Sequence, residues 1–410
     1  MKRLILITDH YPYTRGELPF VQPELAVTCQ HFEVSVICKS PAEKQEYPLP
    51  PGVKLYHYHK DATMEEKIRN LFGCLLDGNY YRSVFGKEHA KGSWRAREAE
   101  VRNFRLSAHL FRKYLRDEGF FDRIEHTIYY SYWYNYGAMA LALEKQRHPR
   151  MRIITRTHGY DLYNERSPAG VQPYKRFMDR HMDAVFFVSR RACAYYKKHF
   201  ATQDNGHYQL AYLGVPDNGL NPPGRGEEIS LFSCSNVIPI KRVGLLVEAL
   251  SLLPGRKIRW VHAGGGSQEE AVRRLAEEKL EGNPEVSYAF LGAVPNEEVI
   301  AYYKSTHVDL FLTASETEGG TPVSIMEAFS FGVPAVGTDV GGIPEMINAG
   351  TGFLLSANPT PQEIAAVIAA YADAPAAKKT ALRSNARQMW HASFYDKANH
   401  TRFASELEKL

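Results

Sequence analysis

The chain has 410 residues, 44% hydrophobic and 23% charged, with a formal net charge of +4. At roughly 150 residues per domain that length asks for two or three cores, and the near-average composition excludes disordered, collagen-like and coiled-coil chains. The small net charge argues against a general nucleic-acid binder, and no apolar run reaches the ~20 residues that span a bilayer.

In chain order, RLILIT (3–8), FEVSVI (32–37), TIYYS (127–131), RIITRT (152–157) and AVFFV (184–188) predict strands. A second series follows in ISLFSC (229–234), KIRWVHA (257–263), VSYAFL (286–291) and VDLFLTA (308–314). These are short continuous apolar runs rather than polar–apolar alternations, the pattern of parallel strands covered on both faces. Amphipathic stretches separate them; KRVGLLVEALSLL (241–253) puts Val243, Leu246, Val247 and Leu250 on one helical face. Strand–helix alternation predicts an α/β, doubly wound architecture. Between the two series DNGLNPPGRGEE (217–228) is dense in Gly, Pro and charge, which is linker chemistry. The expected division is therefore two Rossmann-like domains facing a central cleft, residues 1–216 and 217–388. A C-terminal helix, residues 389–410 with Met389, Trp390, Phe394 and Phe403 as buried anchors, is expected to cross back onto the first domain.

The segment richest in chemistry is FLTASETEGGTPVSIMEAFSFGVPAVGTDVGGIPEMI (311–347). A strand ends near Ala314, a polar Gly-rich loop follows, and a helix is predicted with Thr321 as N-cap and Pro322 in its first position. The amides of Val323 and Ser324 then leave the helix N-terminus at the carboxyl end of a strand, where orphan N–H groups and the helix dipole favour phosphate. Gly319 and Gly320 allow close backbone approach. Glu327, one turn into the helix, is placed to accept hydrogen bonds from a ribose diol, as acidic residues do in dinucleotide folds. Packing explains two carboxylates beside an anion-binding turn poorly, because carboxylates are seldom buried unpaired.

This stretch resembles the Glu-x7-Glu signature of the family 4 retaining glycosyltransferases, which have the GT-B fold. The likeness is carried by PVSIMEAFSFGVPAVGTDVGGIPE (322–345), including its Gly-Val-Pro turn and the Gly341–Gly342 pair before Glu345. Eight residues separate Glu318 from Glu327, one more than in the family's pattern. SCSNVIPIKRVGLLVEAL (233–250) resembles the family's strand-to-helix turn, where an Arg and a Lys five residues apart grip the donor's diphosphate. Lys241 matches the Lys. Asn236 stands in the Arg position, so a bidentate charge-assisted contact is replaced by an amide hydrogen bond. YPYTRGELPFVQPE (11–24) resembles the family's P-x-x-x-G-E-x-x-F loop, which implies the Gly16 amide facing phosphate or acceptor. RTHGYDLY (156–163) resembles its H-G-x-D segment, which implies His158 facing the donor sugar. WVHAGGGS (260–267) and FLGAVPNEE (290–298) resemble turns flanking the nucleotide, which implies Gly264 and Gly266 near phosphate and Leu291, Gly292 and Val294 near the base.

The resemblance implies a retaining glycosyltransferase of cell-surface polysaccharide synthesis. Sugar would pass from a nucleotide-diphosphate sugar to a saccharide or lipid-linked acceptor, with Lys241, Glu318 and His158 catalytic. Asn236, Gly319, Gly320, Thr321, Val323, Ser324 and Glu327 would bind the donor, and neither metal nor cofactor is implied. Two other classes fit part of these residues: a non-catalytic nucleotide-sugar-binding subunit, and a GT-B epimerase or phosphorylase. No Asp-x-Asp, GxxxxGK[ST] or G-x-S-x-G occurs. Five scattered cysteines without a C-x-x-C read as reduced thiols, and MKRLILITDHYPY lacks a leader cleavage site, so a cytoplasmic location is expected. Between Arg82 and Arg116 lie ten Lys/Arg against three Glu. That segment reads as a solvated helix face or as a patch for peripheral contact with an anionic membrane.

Overall fold

The computed structural model describes the chain apart from residues 43, 87–91 and 225 and the side chains of residues 15 and 205. It has two compact units, Met1–Tyr212 together with Lys397–Leu410, and Leu213–Asp396. In the first, strands β1 (Arg3–Thr8), β2 (Glu33–Cys38), β3 (Lys54–His57), β4 (Thr127–Ser131), β5 (Arg152–Thr157), β6 (Ala184–Phe187) and β7 (Tyr208–Leu210) form a parallel sheet ordered β3-β2-β1-β4-β5-β6-β7. Its helices are α1 (Leu18–His31), α2 (Met64–Leu75), α3 (Gly78–Phe85), α4 (Trp94–Asp117), α5 (Tyr136–Lys145), α6 (Lys175–Asp179) and α7 (Arg190–His199).

The second unit's parallel sheet holds β8 (Ile229–Cys234), β9 (Ile258–Ala263), β10 (Val286–Phe290), β11 (Leu310–Leu312), β12 (Ala335–Thr338) and β13 (Gly352–Leu355), ordered β10-β9-β8-β11-β12-β13. Helices α8 (Val243–Leu250), α9 (Glu269–Leu280), α10 (Asn296–Ser305), α11 (Val323–Ser330), α12 (Pro361–Ala372) and α13 (Ala376–Ser393) cover it, and α14 (Asp396–Glu408) follows. The inner strands are buried on both faces, with Leu4 to Ile7 in β1 and Leu231 and Phe232 in β8 almost wholly covered, while the edge strands β3, β7, β10 and β13 are partly exposed. Each sheet reverses its strand order once, between β1 and β4 and between β8 and β11. Loops leave those neighbouring strands in opposite directions, which opens a crevice at their carboxyl ends. Among the described residues no helix is long and apolar enough to cross a membrane.

Three strands, β7, β12 and β13, have no counterpart among the expected elements. Each has only three or four residues, and glycines dilute the last two. The glycine in β13 is a packing requirement, since a Cβ on Gly352 would lie 1.9 Å from Ala335 O on β12. The tail also departs from the expectation that residues 389–410 all join the first unit. Trp390 and Phe394 are buried in the second, where Trp390 Nε1 donates to Val215 O at 3.2 Å and Val215 N donates to Phe394 O at 3.0 Å. Only the chain from Lys397 belongs to the first unit. There Phe403 packs 5.4 Å from the Tyr130 ring and 4.9 Å from the Phe186 ring.

Under α14 lies a buried charge pair. Arg156 of β5 meets Glu24 of α1 at 2.5 Å with both side chains almost fully covered, and its guanidinium sits 4.4 Å from the Phe403 ring centroid. Burial works against the guanidinium's charge, but Glu24 facing it outweighs that and holds its pKa above the ordinary value. Removing one member of such a pair strands the other, at a cost of about 3–5 kcal/mol. Glu24→Ala is expected to lose that much in urea unfolding, while the apolar double replacement Glu24→Leu/Arg156→Met recovers most of it. A loss below about 1 kcal/mol in the single variant would show that Arg156 finds another partner.

Candidate functional site

In the second unit, the turn after β8 and the loop after β11 flank the crevice where strand order reverses. The first turn is pinned from behind by the chain after β9: Ser235 N donates to Ala263 O at 3.0 Å and Val237 N to Gly265 O at 2.9 Å. Gly264, at φ +141°, lies so close that a Cβ would sit 1.9 Å from Ser235 O, and one on Gly266 would sit 2.5 Å from Val237 O. The structure thus gives both glycines a packing role, holding up the turn whose exposed tip is Asn236. Arg242 closes the turn in a left-handed conformation, φ +49°. Its guanidinium donates to Ala314 O at 2.6 Å, Ser315 O at 2.9 Å and Ala357 O at 3.0 Å, latching the turn to the end of β11. Glu316 N adds a bond to Ile240 O at 2.7 Å.

That latch brings Lys241 and Glu318 together, Nζ to Oε1 at 2.5 Å, both side chains mostly covered. The extra residue after Glu318 therefore does not remove its carboxylate from Lys241. The 318–320 loop rests on the glycine pair behind it. A Cβ on Gly341, at φ +52°, would lie 2.4 Å from Glu318 O, and Gly342 N donates to Gly320 O at 2.9 Å. Helix α11 begins at Val323, one residue later than expected. Pro322 is the N-cap because its extended ψ of 130° cannot be helical, so Thr321 does not cap the helix. The first intrahelical bond here is Met326 N to Pro322 O at 3.2 Å. Val323 and Ser324 thus occupy the turn whose amides precede the intrahelical ladder, beside Gly319 and Gly320.

Glu327 is buried at 7% exposure, and its Oε1 accepts from Asn296 Nδ2 at 2.7 Å. Burial outweighs that hydrogen bond and pushes the carboxyl from an ordinary 4.5 up to about 7. Asn296, the first residue of α10, escaped the sequence reading; the only trace was its place in VPNEE, just past Val294. Leu291 is 42% exposed, and Gly292, at φ +69°, accepts from Gly264 N at 2.8 Å.

In the first unit, Gly16 and His158 lie past the carboxyl ends of β1 and β5. The β1–α1 loop is shaped by Glu17, wholly buried, whose carboxylate accepts from the amides of Asp9 (2.9 Å), His10 (2.9 Å) and Tyr11 (2.8 Å) and from Trp133 Nε1. Burial and then Asp9 raise its pKa against those bonds. A Cβ on Gly16 would come within 3.1 Å of the His10 ring. His158 is 9% exposed, with its ring 4.3 Å from Trp133 and 4.8 Å from Tyr132. Neither ring nitrogen has a partner among the described residues. Burial, then Arg156, lowers its pKa well below the ordinary value, so the ring is neutral. Nearby Asp9, Lys39 and Asn135 form a closed set: Lys39 Nζ meets Asp9 Oδ1 at 2.8 Å and Asn135 Oδ1 at 2.9 Å, and Asn135 Nδ2 donates to Asp9 Oδ2 at 2.7 Å. Asp9, Lys39 and Asn135 carry no sequence signal, because each stands alone in the sequence and acquires its partners from another strand end; Glu17 is visible there only as the Glu of the P-x-x-x-G-E-x-x-F loop.

Four of the eight described cations of the basic segment 82–116 pair with carboxylates inside the first unit. Arg102 pairs with Glu98 at 3.1 Å, Arg105 with Asp77 at 3.2 Å, and Arg112 and Arg116 both meet Glu144 at 2.8 and 2.6 Å. Lys87 and Lys91 lie outside the described residues. Arg82, Arg95 and Lys113 are exposed.

Comparison with known proteins places these features. Residues 222–389 match the family model of glycosyl transferases group 1. The chain is 29% identical over 192 residues to a putative colanic acid biosynthesis glycosyltransferase of Salmonella typhimurium, covering 45% of this chain and 46% of that protein. It is 27% identical over 217 residues to a GDP-mannose-dependent alpha-(1-6)-phosphatidylinositol monomannoside mannosyltransferase of Mycobacterium tuberculosis, covering 48% and 54%. The chain thus spans about half the length of the curated relatives it matches. Over the full length of both chains the fold is similar to that of a lipopolysaccharide outer core galactosyltransferase, with a TM-score of 0.71 at 14% identity. Two parallel α/β units matched from end to end give the chain the GT-B fold, and most of its second unit matches the model of the glycosyl transferases group 1.

Proposed function

We propose that this chain is a cytoplasmic, retaining glycosyltransferase that moves a sugar from a nucleotide-diphosphate sugar to a saccharide or lipid-linked acceptor, without metal or cofactor. One observation carries the reading: a buried carboxyl, Glu327, stands one turn inside a helix N-terminus whose first amides open beside the Lys241–Glu318 pair. Amides and ammonium suit a diphosphate. A carboxylate held by a single amide has acceptor capacity left for a ribose diol. The matched relatives support the donor and acceptor classes, one acting on GDP-mannose and a glycolipid and one in colanic acid synthesis.

Cleaving the anomeric bond builds positive charge on the sugar and negative charge on the departing diphosphate. Lys241, the Val323 and Ser324 amides and the Asn236 amide group would stabilise that leaving group in place of bulk water. Lys241 faces Glu318 in the free protein, so diphosphate would draw the ammonium from the carboxylate and leave Glu318 to orient the sugar. The neutral, unpartnered His158 ring can donate or accept at a sugar hydroxyl without adding charge. The same-face attack, in which the leaving phosphate takes the acceptor's proton, rests on the family resemblance. Asn236 favours one competing reading, a binding subunit without turnover, because it supplies no fixed charge where the family has an Arg.

Calorimetric titration with UDP, GDP and ADP, in the presence and absence of divalent metal, tests the donor site. Selective binding of one nucleotide in metal-free buffer is expected, followed by product formation with the matching donor sugar. Binding without product would assign the chain to the subunit reading, and no binding by folded protein would remove the donor site altogether. Lys241→Ala is expected to reduce kcat/KM by roughly 10²–10³, or ~3–4 kcal/mol, the range for one lost electrostatic donor. Unchanged turnover in that variant would end the phosphate assignment.

Glu327 makes a pH prediction. Its folded pKa of about 7 exceeds the ordinary 4.5, so the folded state holds an extra proton between those values and stability falls as pH rises through that window. At about 1.4 kcal/mol per pKa unit, Glu327→Gln is expected to gain about 3 kcal/mol over the parent between pH 4.5 and 8. The parent's nucleotide affinity should rise through pH ~7 as the carboxylate forms, and the Gln variant should lose that dependence. A stability difference that is flat with pH would show the carboxyl to be ordinary.

A further inference from the structure

Helix α9 carries two successive charge pairs at the same spacing, Glu269–Arg273 and Glu270–Arg274, and the fold treats them differently. The second stands in solvent, its Glu and Arg side chains 80 and 74% exposed. The first is only 29 and 40% exposed, because Arg273 packs on the end of β10. Its guanidinium lies 5.0 Å from the Phe290 ring centroid and donates to Phe290 O at 3.2 Å. Its Nε and Nη2 both donate to Glu269 Oε1, at 3.1 and 2.8 Å. A solvated pair on a helix face adds little to stability. The Arg273 clamp does something else: it fixes the direction of one carboxylate.

Both guanidinium bonds fall on Oε1, so Oε2 keeps its acceptor capacity. Oε2 faces the loops that leave the neighbouring strands β9 and β10. The point that a Cβ on Gly265 would occupy is 3.0 Å from Oε2, 3.3 Å from Ala293 Cβ and 3.3 Å from Ala293 N. Ala293 is exposed, and Leu291 beside it offers apolar surface to the face of a ring. Three residues on stands Asn296, whose amide holds Glu327. With the ribose on Glu327, a base attached to that ribose meets the 291–294 loop and the carboxylate above it.

A carboxylate only accepts hydrogen bonds. Guanine sets two donors side by side on its pairing edge, N1–H and the 2-amino group, with the O6 acceptor next to them. Uracil flanks its single N–H with two carbonyls, and adenine places the N1 lone pair beside its amino group. Either would turn a lone pair toward the carboxylate, and such repulsion discriminates as well as attraction does. We propose that Glu269, aimed by Arg273, reads the base of the donor and selects guanine, so that the donor is a guanosine-diphosphate sugar. The Ala293 amide beside the carboxylate is the donor for O6. This rests on the donor-site reading of Glu327 and the α11 amides, and names the base that reading leaves open.

Calorimetric titration of the full chain with GDP, IDP, UDP and ADP tests it. GDP is expected to bind at least about tenfold tighter than UDP or ADP, the worth of one good two-point contact to a base edge. IDP, which lacks the 2-amino group, should bind about fivefold weaker than GDP. Glu269→Gln still offers Arg273 an acceptor; it should lower GDP affinity by about tenfold and leave UDP affinity undiminished. Its position on the surface of α9 leaves the circular dichroism unchanged, and the comparison of GDP with IDP uses the unaltered protein. Lys241→Ala should weaken all four nucleotides alike, which reports the phosphate contact separately. Tighter binding of UDP or ADP than of GDP, equal affinity for GDP and IDP, or a Gln variant that binds GDP like the parent would each overturn the guanine assignment while leaving the donor site in place. Binding of none of the four by folded protein would remove the donor site and the base assignment together.

Discussion

Arg242 is the side chain on which the second unit's site depends. From a left-handed backbone position it reaches two carbonyls at the end of β11 and a third in the chain after β13. The turn after β8 and the loop after β11 come from strands adjacent in space but distant in sequence. Without that latch, Lys241 and the N-terminus of α11 would be carried by two loops free to separate. Glycines complete the arrangement from behind: Gly264 and Gly341 permit backbone approaches that any Cβ would block. A strained or side-chain-free residue at each of these points is what preorganises the groups in front.

Buried carboxyls in this protein fall into two kinds, distinguished by how completely they are satisfied. Glu17 receives three backbone amides and an indole N–H, and Glu24 receives a guanidinium. Both are structural, because their acceptor capacity is used where it stands. Glu327 has one described partner, Asn296, and burial lifts its pKa to about 7. His158 has none among the described residues. Incompletely paired buried polar groups cost about 1–3 kcal/mol each, and such a cost is tolerated where a ligand completes the set.

The first unit shows how a count of charges differs from a charged surface. Ten cations between Arg82 and Arg116 suggest a continuous positive face. Folding sends Arg105 to Asp77 and both Arg112 and Arg116 to Glu144. Arg82 instead lines a cavity with Arg176 and Arg180, about a hundred residues away in sequence. Helix α2 has an amphipathic period as well, yet it buries Asn70 and Cys74 and leaves Met64, Ile68, Leu71, Phe72 and Leu75 exposed.

The sequence by itself determined the class of fold, the two series of strands, the linker between them and most of the residues at the second unit's crevice. Each of those signals is local: an apolar run, a glycine-rich turn or a helix start within a few residues. The strands β7, β12 and β13 were too short to carry a period, and the start of α11 shifted by one residue because an extended Pro322 competes with Thr321 for the cap. Tertiary structure alone decided that Lys241 pairs with Glu318, that Asn296 holds Glu327, that the glycines after β9 serve packing, and that the tail divides after Asp396. These are meetings between chain segments at least 29 residues apart, 77 for Lys241 and Glu318. Their geometry follows from strand order, which local propensity does not encode.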